Sequence, residues 1–287
     1  DGHHIICLDD LSTGKEINIK DLILDSNFKF LQHDLTKPFF PEDIDAIFNL
    51  ACPASPVHYQ YNQIRTLKMG TLAMYNVLGM AARLNVPILQ ASTSEVYGDP
   101  LEHPQSESYW GHVNPIGPRA CYDEGKRVAE ALCIAYNQDS NVDIRIARIF
   151  NTYGPYMDPN DGRVVSNFIV QAIEGKPLTV YGKGTQTRSF CFVGDLVQGL
   201  IDLMNSDFRK PVNLGNPHEI SILELAESVR ELTKLKNPIE YHDLPVDDPH
   251  RRCPDITLAT KIIGWKPDTD LNQGLSQTIE WFRSILK

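Results

Sequence analysis

Residues 3–15 read HHIICLDDLSTGK. The run 3–8 has the make-up of a short buried strand, rich in Ile and Leu. It ends in two carboxylates, Asp9 and Asp10, ahead of a Ser12-Thr13-Gly14 turn. Further short apolar runs follow at 28–31, 46–51, 87–91 and 144–150, and helical patterns separate some of them. Ile64, Leu67, Thr71, Tyr75, Leu78 and Ala82 recur at three- and four-residue spacing, which predicts one face of a long helix over 64–84. A second long helix is predicted over 120–137. Strands alternating with helices imply right-handed βαβ units and an open parallel sheet. In such doubly wound sheets an acid closing the second strand takes the adenosine ribose hydroxyls of a dinucleotide, with a phosphate loop about 20 residues before it. The strand at the start of this sequence therefore reads as a second strand.

After Gly154 the rhythm changes. The segment GPYMDPNDGR (154–163) is turn-rich, and strands become sparse, expected at 178–181 and 212–214. Helices are expected at 164–174, 193–205, 221–235 and 271–286. The fold class is thus α/β, a Rossmann-like doubly wound parallel sheet with a smaller α/β substrate-binding lobe. The division is residues 1–152 for the first unit and 153–287 mainly for the lobe, with segments returning to the sheet.

Composition narrows the function. The 287 residues carry a net charge of −10, which argues against non-specific nucleic-acid binding. Local arginines can still hold an anionic small molecule. The six cysteines (Cys7, Cys52, Cys121, Cys133, Cys191, Cys253) show no C-x-x-C pair and no metal-ligand spacing. They read as free thiols of a reducing compartment, and no metal is expected. No apolar run approaches ~18 residues, so no membrane span is expected in these residues.

Two stretches carry chemistry. In CYDEGKRVAE (121–130), Tyr122 and Lys126 stand four apart at the start of a helix and project from one face. A neighbouring ammonium can lower a tyrosine pKa by ~1–3 from ~10, making a base for a hydroxyl proton during hydride transfer. Alone the pair is a weak signal, since solvated helix faces hold many such pairs. Upstream, QASTSEVYGDP (90–100) places Ser92, Thr93, Ser94 and Glu95 at the carboxyl end of a strand, where open sheets build their sites. Ser/Thr motifs also serve simple turns. The strand-end position beside the Tyr-x-x-x-Lys helix favours function.

ASTSEVYGDP, PRACYDEGKRVAE, RIFNTYGP, GRVVSNFI, QTRSFCFVGDLVQGL and VNLGNP together resemble the extended short-chain dehydrogenase/reductase family. The likeness runs from residue 1 to about 283 and is strongest to its branch that decarboxylates UDP-glucuronate. The triplet Thr93-Ser94-Glu95 discriminates: 4,6-dehydratases carry Thr-Asp-Glu, and 4-epimerases usually follow Ser-Ser/Thr with a small residue. The resemblance implies NAD as cofactor, a UDP-sugar as ligand and conversion of UDP-glucuronate to UDP-xylose through a 4-keto intermediate. It makes Tyr122 the base and Lys126 its partner on the nicotinamide ribose, with Thr93 orienting the C4 hydroxyl. Ser94 and Glu95 fall near C5, and Arg252 on the glucuronate end. Read from its charged loop alone, Arg252 would be an exposed salt bridge. Asn151, Arg163, Tyr181 and Arg188 would line the UDP site, with Arg252. Asp9, Asp10, Thr13, Gly14, Asp34, Leu35, Leu50 and Ala51 would line NAD, and acids at 9 and 10 would repel a 2′-phosphate. Asp195 is expected to hold a helix start or backbone instead. The resemblance also implies a homodimer through the 64–84 and 120–138 helices, and a cytoplasmic protein, or a Golgi-lumenal one where an upstream anchor exists.

Three departures qualify the pattern. Gly70-Thr71-Leu72-Ala73-Met74 stands where the family usually has Asn-Thr-x-Gly-Thr, and Cys52 replaces a common Ser. The family's first strand, Gly-x-x-Gly-x-x-Gly loop and first helix have no counterpart in residues 1–287. The expectation is therefore a piece of a longer natural protein, poorly soluble and weak in NAD binding when made alone. A UDP-sugar 4-epimerase and an inactive nucleotide-sugar-binding fragment stay open as alternatives.

Overall fold

The computed structural model describes residues 2–243 and 251–286. The first half alternates as the apolar runs require: β1 (Ile5–Asp9), β2 (Phe28–Gln32), β3 (Ile47–Asn49), α1 (Pro56–Tyr61), α2 (Gln63–Lys68), α3 (Met74–Leu84), β4 (Ile88–Thr93), α4 (Ala120–Ser140) and β5 (Ile144–Ile149). The second half holds β6 (Thr152–Tyr153), α5 (Val164–Ile173), β7 (Leu178–Tyr181), β8 (Thr187–Ser189), β9 (Cys191–Phe192) and α6 (Val193–Met204). It continues with β10 (Pro211–Leu214), β11 (Glu219–Ser221), α7 (Ile222–Thr233), β12 (Ile239–His242), α8 (Thr257–Ile263) and α9 (Leu271–Ile285).

The central sheet has the order β10-β5-β4-β3 and is parallel throughout. β4 is buried at all six positions, as a middle strand covered on both faces must be. On one face Met74, Val77, Leu78 and Ala81 of α3 and Ala129 and Cys133 of α4 pack with Ile88, Ile144 and Ile146. On the other, Leu196, Leu200 and Leu203 of α6 and Trp265 pack with Leu89 and Ala147. β1 and β2 form a parallel ladder of their own, and Leu8 joins Ile47 against the first face's core. Helices on both faces of a parallel sheet make this a Rossmann-like doubly wound fold. A separate apolar cluster, built on Phe168, Leu178, Leu225, Ile279 and Phe282, holds α5, α7 and α9 against β7.

Two expectations need correction. The helix predicted over 64–84 is interrupted: α2 and α3 are joined by a π-turn at Met69–Ala73. The wider turn falls where Gly70 meets α4, its absent side chain letting the two backbones touch. A Cβ there would lie 2.5 Å from the Gly125 carbonyl oxygen. The region after residue 154 is also not poor in strands. β8, β9, β11 and β12 are two to four residues each and pair with partners distant in sequence, so they leave little period to read.

Gly70→Ala is expected to destabilise the protein by about 1–3 kcal/mol, the usual cost of forcing an added carbon into a packed contact. Gly79→Ala, on the same run of helix but with open space around its Cβ, should be neutral or stabilising by up to ~1 kcal/mol. Chemical denaturation of both variants checks the contrast.

Candidate active site

β4 delivers Thr93 to the carboxyl edge of the sheet, and the chain turns there into a single 3-10 turn, Ser94–Tyr97. Thr93 Oγ1 accepts from the Glu95 backbone N at 3.2 Å, which fixes the start of that turn. α4 runs beside it. Lys126 Nζ donates to the Ala91 carbonyl at 2.7 Å and lies 5.8 Å from the Tyr122 ring centroid. Tyr122 stacks on Tyr59 at 4.9 Å and 5° between planes. The expected lowering of the Tyr122 pKa is not what the structure produces. Burial pushes the phenol up, and the nearby Cys52 adds to it, while Thr93 and Arg163 pull the other way.

Next to this pair is a buried charge cluster. Arg252 is 3% exposed rather than lying on a solvated loop. Its guanidinium donates to Ser94 Oγ at 3.0 Å and to the Gly98 carbonyl at 2.9 Å, and reaches Glu95 Oε2 at 3.4 Å. Arg119 takes the same Glu95 oxygen at 2.7 Å. Burial works to raise the Glu95 carboxyl, but Arg252 and Arg119 outweigh it and hold it below the usual range. Asp123 feels the opposite balance: burial, and then the Glu95 charge, push it up to about 7.

Four buried polar atoms near Glu95 have no hydrogen-bond partner among the described residues: Tyr59 Oη, Arg119 Nε, Asp123 Oδ1 and Arg252 Nε. Unmet buried polar groups suit a polar ligand or ordered water. Tyr59, Arg119 and Asp123 were not among the residues expected from the sequence. Asp123 sits inside the Tyr-x-x-x-Lys spacer, and Arg119 three residues before Tyr122, so helix geometry applied to the same stretch could have found both. Behind the site, Ser92 Oγ donates to Glu130 at 2.5 Å and Arg148 pairs with Glu130 at 2.8 Å, tying β4, α4 and β5 together.

The remaining expected residues are spread along the strand ends and the lobe. Asp9 accepts from the Leu11 backbone N at 2.7 Å and lies against Gly14, where an added Cβ would come 2.9 Å from its carboxylate. Asp10 is ion-paired with Arg65. The charge on Asp10 is thus already matched by Arg65. Asp34 accepts from Thr36, and its carboxyl lies below the usual range despite some burial. Leu35 is buried beneath it, whereas Leu50 is exposed and Ala51 and Thr13 are at or near the surface. The acids at the ends of β1 and β2, the tight Asp9–Gly14 turn and buried Lys126 suit the ribose ends of a dinucleotide.

In the lobe, Arg163 donates to the Ala54 carbonyl at 2.6 Å and acts electrostatically on Tyr122. Asn151 donates to the Ser189 carbonyl at 3.4 Å, and Arg188 lies in β8 opposite Ile220. Tyr181 ends β7 half-exposed beside His242. Asp195 accepts from the Asp268 and Thr269 backbones, a structural anchor as expected.

Residues 1–215 match the NAD dependent epimerase/dehydratase family. The chain belongs to that family. The family chain is 53% identical over 287 residues to UDP-glucuronic acid decarboxylase 1 of Xenopus tropicalis, covering 100% of this chain and 68% of that protein. It is 52% identical over 281 residues to UDP-glucuronic acid decarboxylase 6 of Arabidopsis thaliana, covering 98% and 82%. Among solved structures it resembles a UDP-N-acetylglucosamine 4-epimerase of Methanobrevibacter ruminantium in complex with UDP-N-acetylmuramic acid. The TM-score is 0.90 at 25% identity, covering 98% of this chain and 91% of that one.

Asp123 gives a pH test. Its folded pKa of about 7 lies above the ordinary 3.8, so an ionised carboxyl is tolerated better unfolded than folded. The resulting destabilisation is absent below the unfolded value, grows through the interval between the two, and is complete above about 7. Asp123→Asn should therefore gain thermal stability over the parent at pH 8 and lose most of that advantage by pH 4. Melting curves across the range check the sign.

Proposed function

We propose that the chain is an NAD-dependent decarboxylase that converts UDP-glucuronate to UDP-xylose with no net redox change. The observation that carries this reading is buried Arg252 at the strand end beside Ser94 and Glu95, within the same site as Tyr122, Thr93 and Lys126. A 4-epimerase of uncharged sugars needs only the Tyr-Lys half. A guanidinium with an unmet buried donor suits a substrate carboxylate. The 53% identity to a UDP-glucuronic acid decarboxylase over the whole chain supports the same reading.

In this mechanism Tyr122 removes the C4 hydroxyl proton, oriented by Thr93; the Lys126 ammonium and the charge of a bound nicotinamide would favour the phenolate against the burial that raises its pKa. Lys126 and the NAD-facing residues Asp9, Asp10, Thr13, Gly14, Asp34, Leu35, Leu50 and Ala51 would hold the cofactor. NAD, when bound, supplies the hydride acceptor at C4 and returns the hydride after decarboxylation. A ketone at C4 is β to the C6 carboxylate, so loss of carbon dioxide leaves an enolate that the ketone stabilises. Arg252 would fix the carboxylate before that loss, and Ser94 and Glu95, beside Arg252, would serve the proton returned to C5. Arg119 and Asp123 set the charge around Glu95. Asn151, Arg163, Tyr181 and Arg188 are assigned to the UDP half, where arginine forks suit a pyrophosphate.

In the domain assignment residues 1–152 serve NAD, and 153–287 mainly the sugar nucleotide. β10, lying parallel to β5, supports a return of the later chain to the sheet. A homodimer is assigned to the α2–α3 and α4 faces, supported by exposed Ile64, Leu67, Tyr75 and Val128. No helix among the described residues is long and apolar enough to cross a membrane. The six free thiols favour a reducing compartment such as the cytoplasm over the Golgi lumen.

Incubation with UDP-glucuronate and NAD should release carbon dioxide and UDP-xylose in equal amounts. UDP-galacturonate formed without carbon dioxide would establish the epimerase instead, and neither product would establish a binding protein. Tyr122→Phe should lower turnover by about 10²–10⁴-fold while UDP binding barely changes. A variant keeping a third of the activity would remove Tyr122 from the role of base. Arg252→Ala should weaken UDP-glucuronate binding by about 2–5 kcal/mol and UDP binding far less, measured by calorimetry. Equal losses for both ligands would place Arg252 at the pyrophosphate or in folding.

A further inference from the structure

Among the described residues, one group of metal-ligating side chains lies beyond the strand-end site: His103, Glu219 and Cys253. An imidazole nitrogen, a carboxylate oxygen and a thiol sulfur there all lie within 4.8 Å of one another. His103 Nε2 is already 2.8 Å from Glu219 Oε2. Cys253 is buried, while His103 and Glu219 are partly open to solvent, so an ion has both a fixed floor and an entry path.

The three ligands come from distant parts of the sequence and are held in place by backbone and side-chain contacts that leave a ligand atom of each toward the others. The 103–105 segment lies alongside 253–255: Gln105 N donates to the Cys253 carbonyl at 2.9 Å, and Asp255 N donates to the Gln105 carbonyl at 2.9 Å. The Gln105 side chain accepts from Cys253 N at 2.9 Å. Glu219 begins β11, paired to β8, and its other oxygen accepts from Thr187 Oγ1 at 2.7 Å. This is the outer support that holds a carboxylate ligand in orientation and leaves its free oxygen available. Glu219 and Asp255 also put negative charge near Cys253, which favours a cation.

We propose that His103, Glu219 and Cys253 bind one zinc-class divalent cation, with a fourth position open to water. The ligand chemistry selects the ion. A mixed nitrogen, oxygen and sulfur set is the zinc set, whereas magnesium and calcium take oxygen ligands. On binding, Cys253 gives its thiol proton to solvent and its thiolate takes the metal. The ion enters between His103 and Glu219, so their direct contact is replaced by two metal bonds. Cys253 follows Arg252 in the chain, so the bound ion would pin the segment that carries the carboxylate-binding guanidinium to β11 and to the 103–105 segment. The site is independent of which reaction the strand-end residues perform.

Cobalt(II) is the probe, added to chelator-treated protein kept reduced with a non-coordinating phosphine. One equivalent should produce a thiolate-to-cobalt charge-transfer band and the visible absorption of a tetrahedral site, both bleached by zinc. Cys253→Ser should abolish the charge-transfer band, and Thr187→Val should weaken cobalt binding by about 10-fold by loosening Glu219. No thiolate band in the parent, or the same band in Cys253→Ser, overturns the proposal. Should Cys253→Ser fail to fold, the solvent-facing His103→Ala decides: unaltered cobalt affinity and spectrum overturn the site, and loss of the tetrahedral spectrum supports it.

Discussion

A carboxylate largely withdrawn from water needs matching positive charge, and Glu95, its side chain 17% exposed, has two guanidiniums. That requirement organises the carboxyl edge of the sheet. Arg119 approaches from just before α4, and Arg252 from a segment 157 residues beyond Glu95 in the chain. Neither could be replaced by a lysine without losing the fork that lets Arg252 hold Ser94, Gly98 and Glu95 together. The ion cluster thus joins the Rossmann-like sheet to late sequence that has no periodic link with it. A buried ion cluster adds little net stability by itself, but leaving one member unpaired is costly. The geometry it imposes is correspondingly specific.

The scaffold behind the cluster is ordinary sheet physics used for placement. β4 is buried on both faces, so its end is a stiff mount for Thr93. The Gly70–Gly125 contact brings the π-turn and α4 together at backbone distance, just short of Lys126. Gly70 stands where the family usually has Asn. In this chain the position serves close packing of two helical segments rather than a polar contact.

The sheet was legible because its strands are apolar runs separated by helical periods, and the Tyr122–Lys126 spacing is a local signal. β1, β2, β4 and β5 fall within two residues of the expected ends, and β7 matches 178–181. What stayed illegible has a common cause. β8, β9, β11 and β12 are short and become strands through partners far away in sequence. The depth of Arg252 is likewise a tertiary fact, since its surroundings are charged and read as surface. The direction of the Tyr122 pKa is hidden for the same reason: the ammonium four residues on is local, whereas the burial that dominates comes from tertiary packing, with Tyr59 stacked on the ring.

Charge balance connects the unexpected residues to the proposed chemistry. Arg119 and Arg252 against Glu95 leave one positive charge if Asp123 keeps its proton. A substrate carboxylate would then neutralise the cluster. With Asp123 ionised, the same arrival would leave an extra negative charge in a buried site, which costs far more than at the surface. A carboxyl whose pKa lies near 7 stands at the boundary between these two states. A hexuronate would therefore bind most readily while Asp123 is protonated, and loss of carbon dioxide would remove the charge that kept it so. Asp123, carried on the same helical turn as Tyr122, would thus set the electrostatic condition under which Arg252 receives a carboxylate.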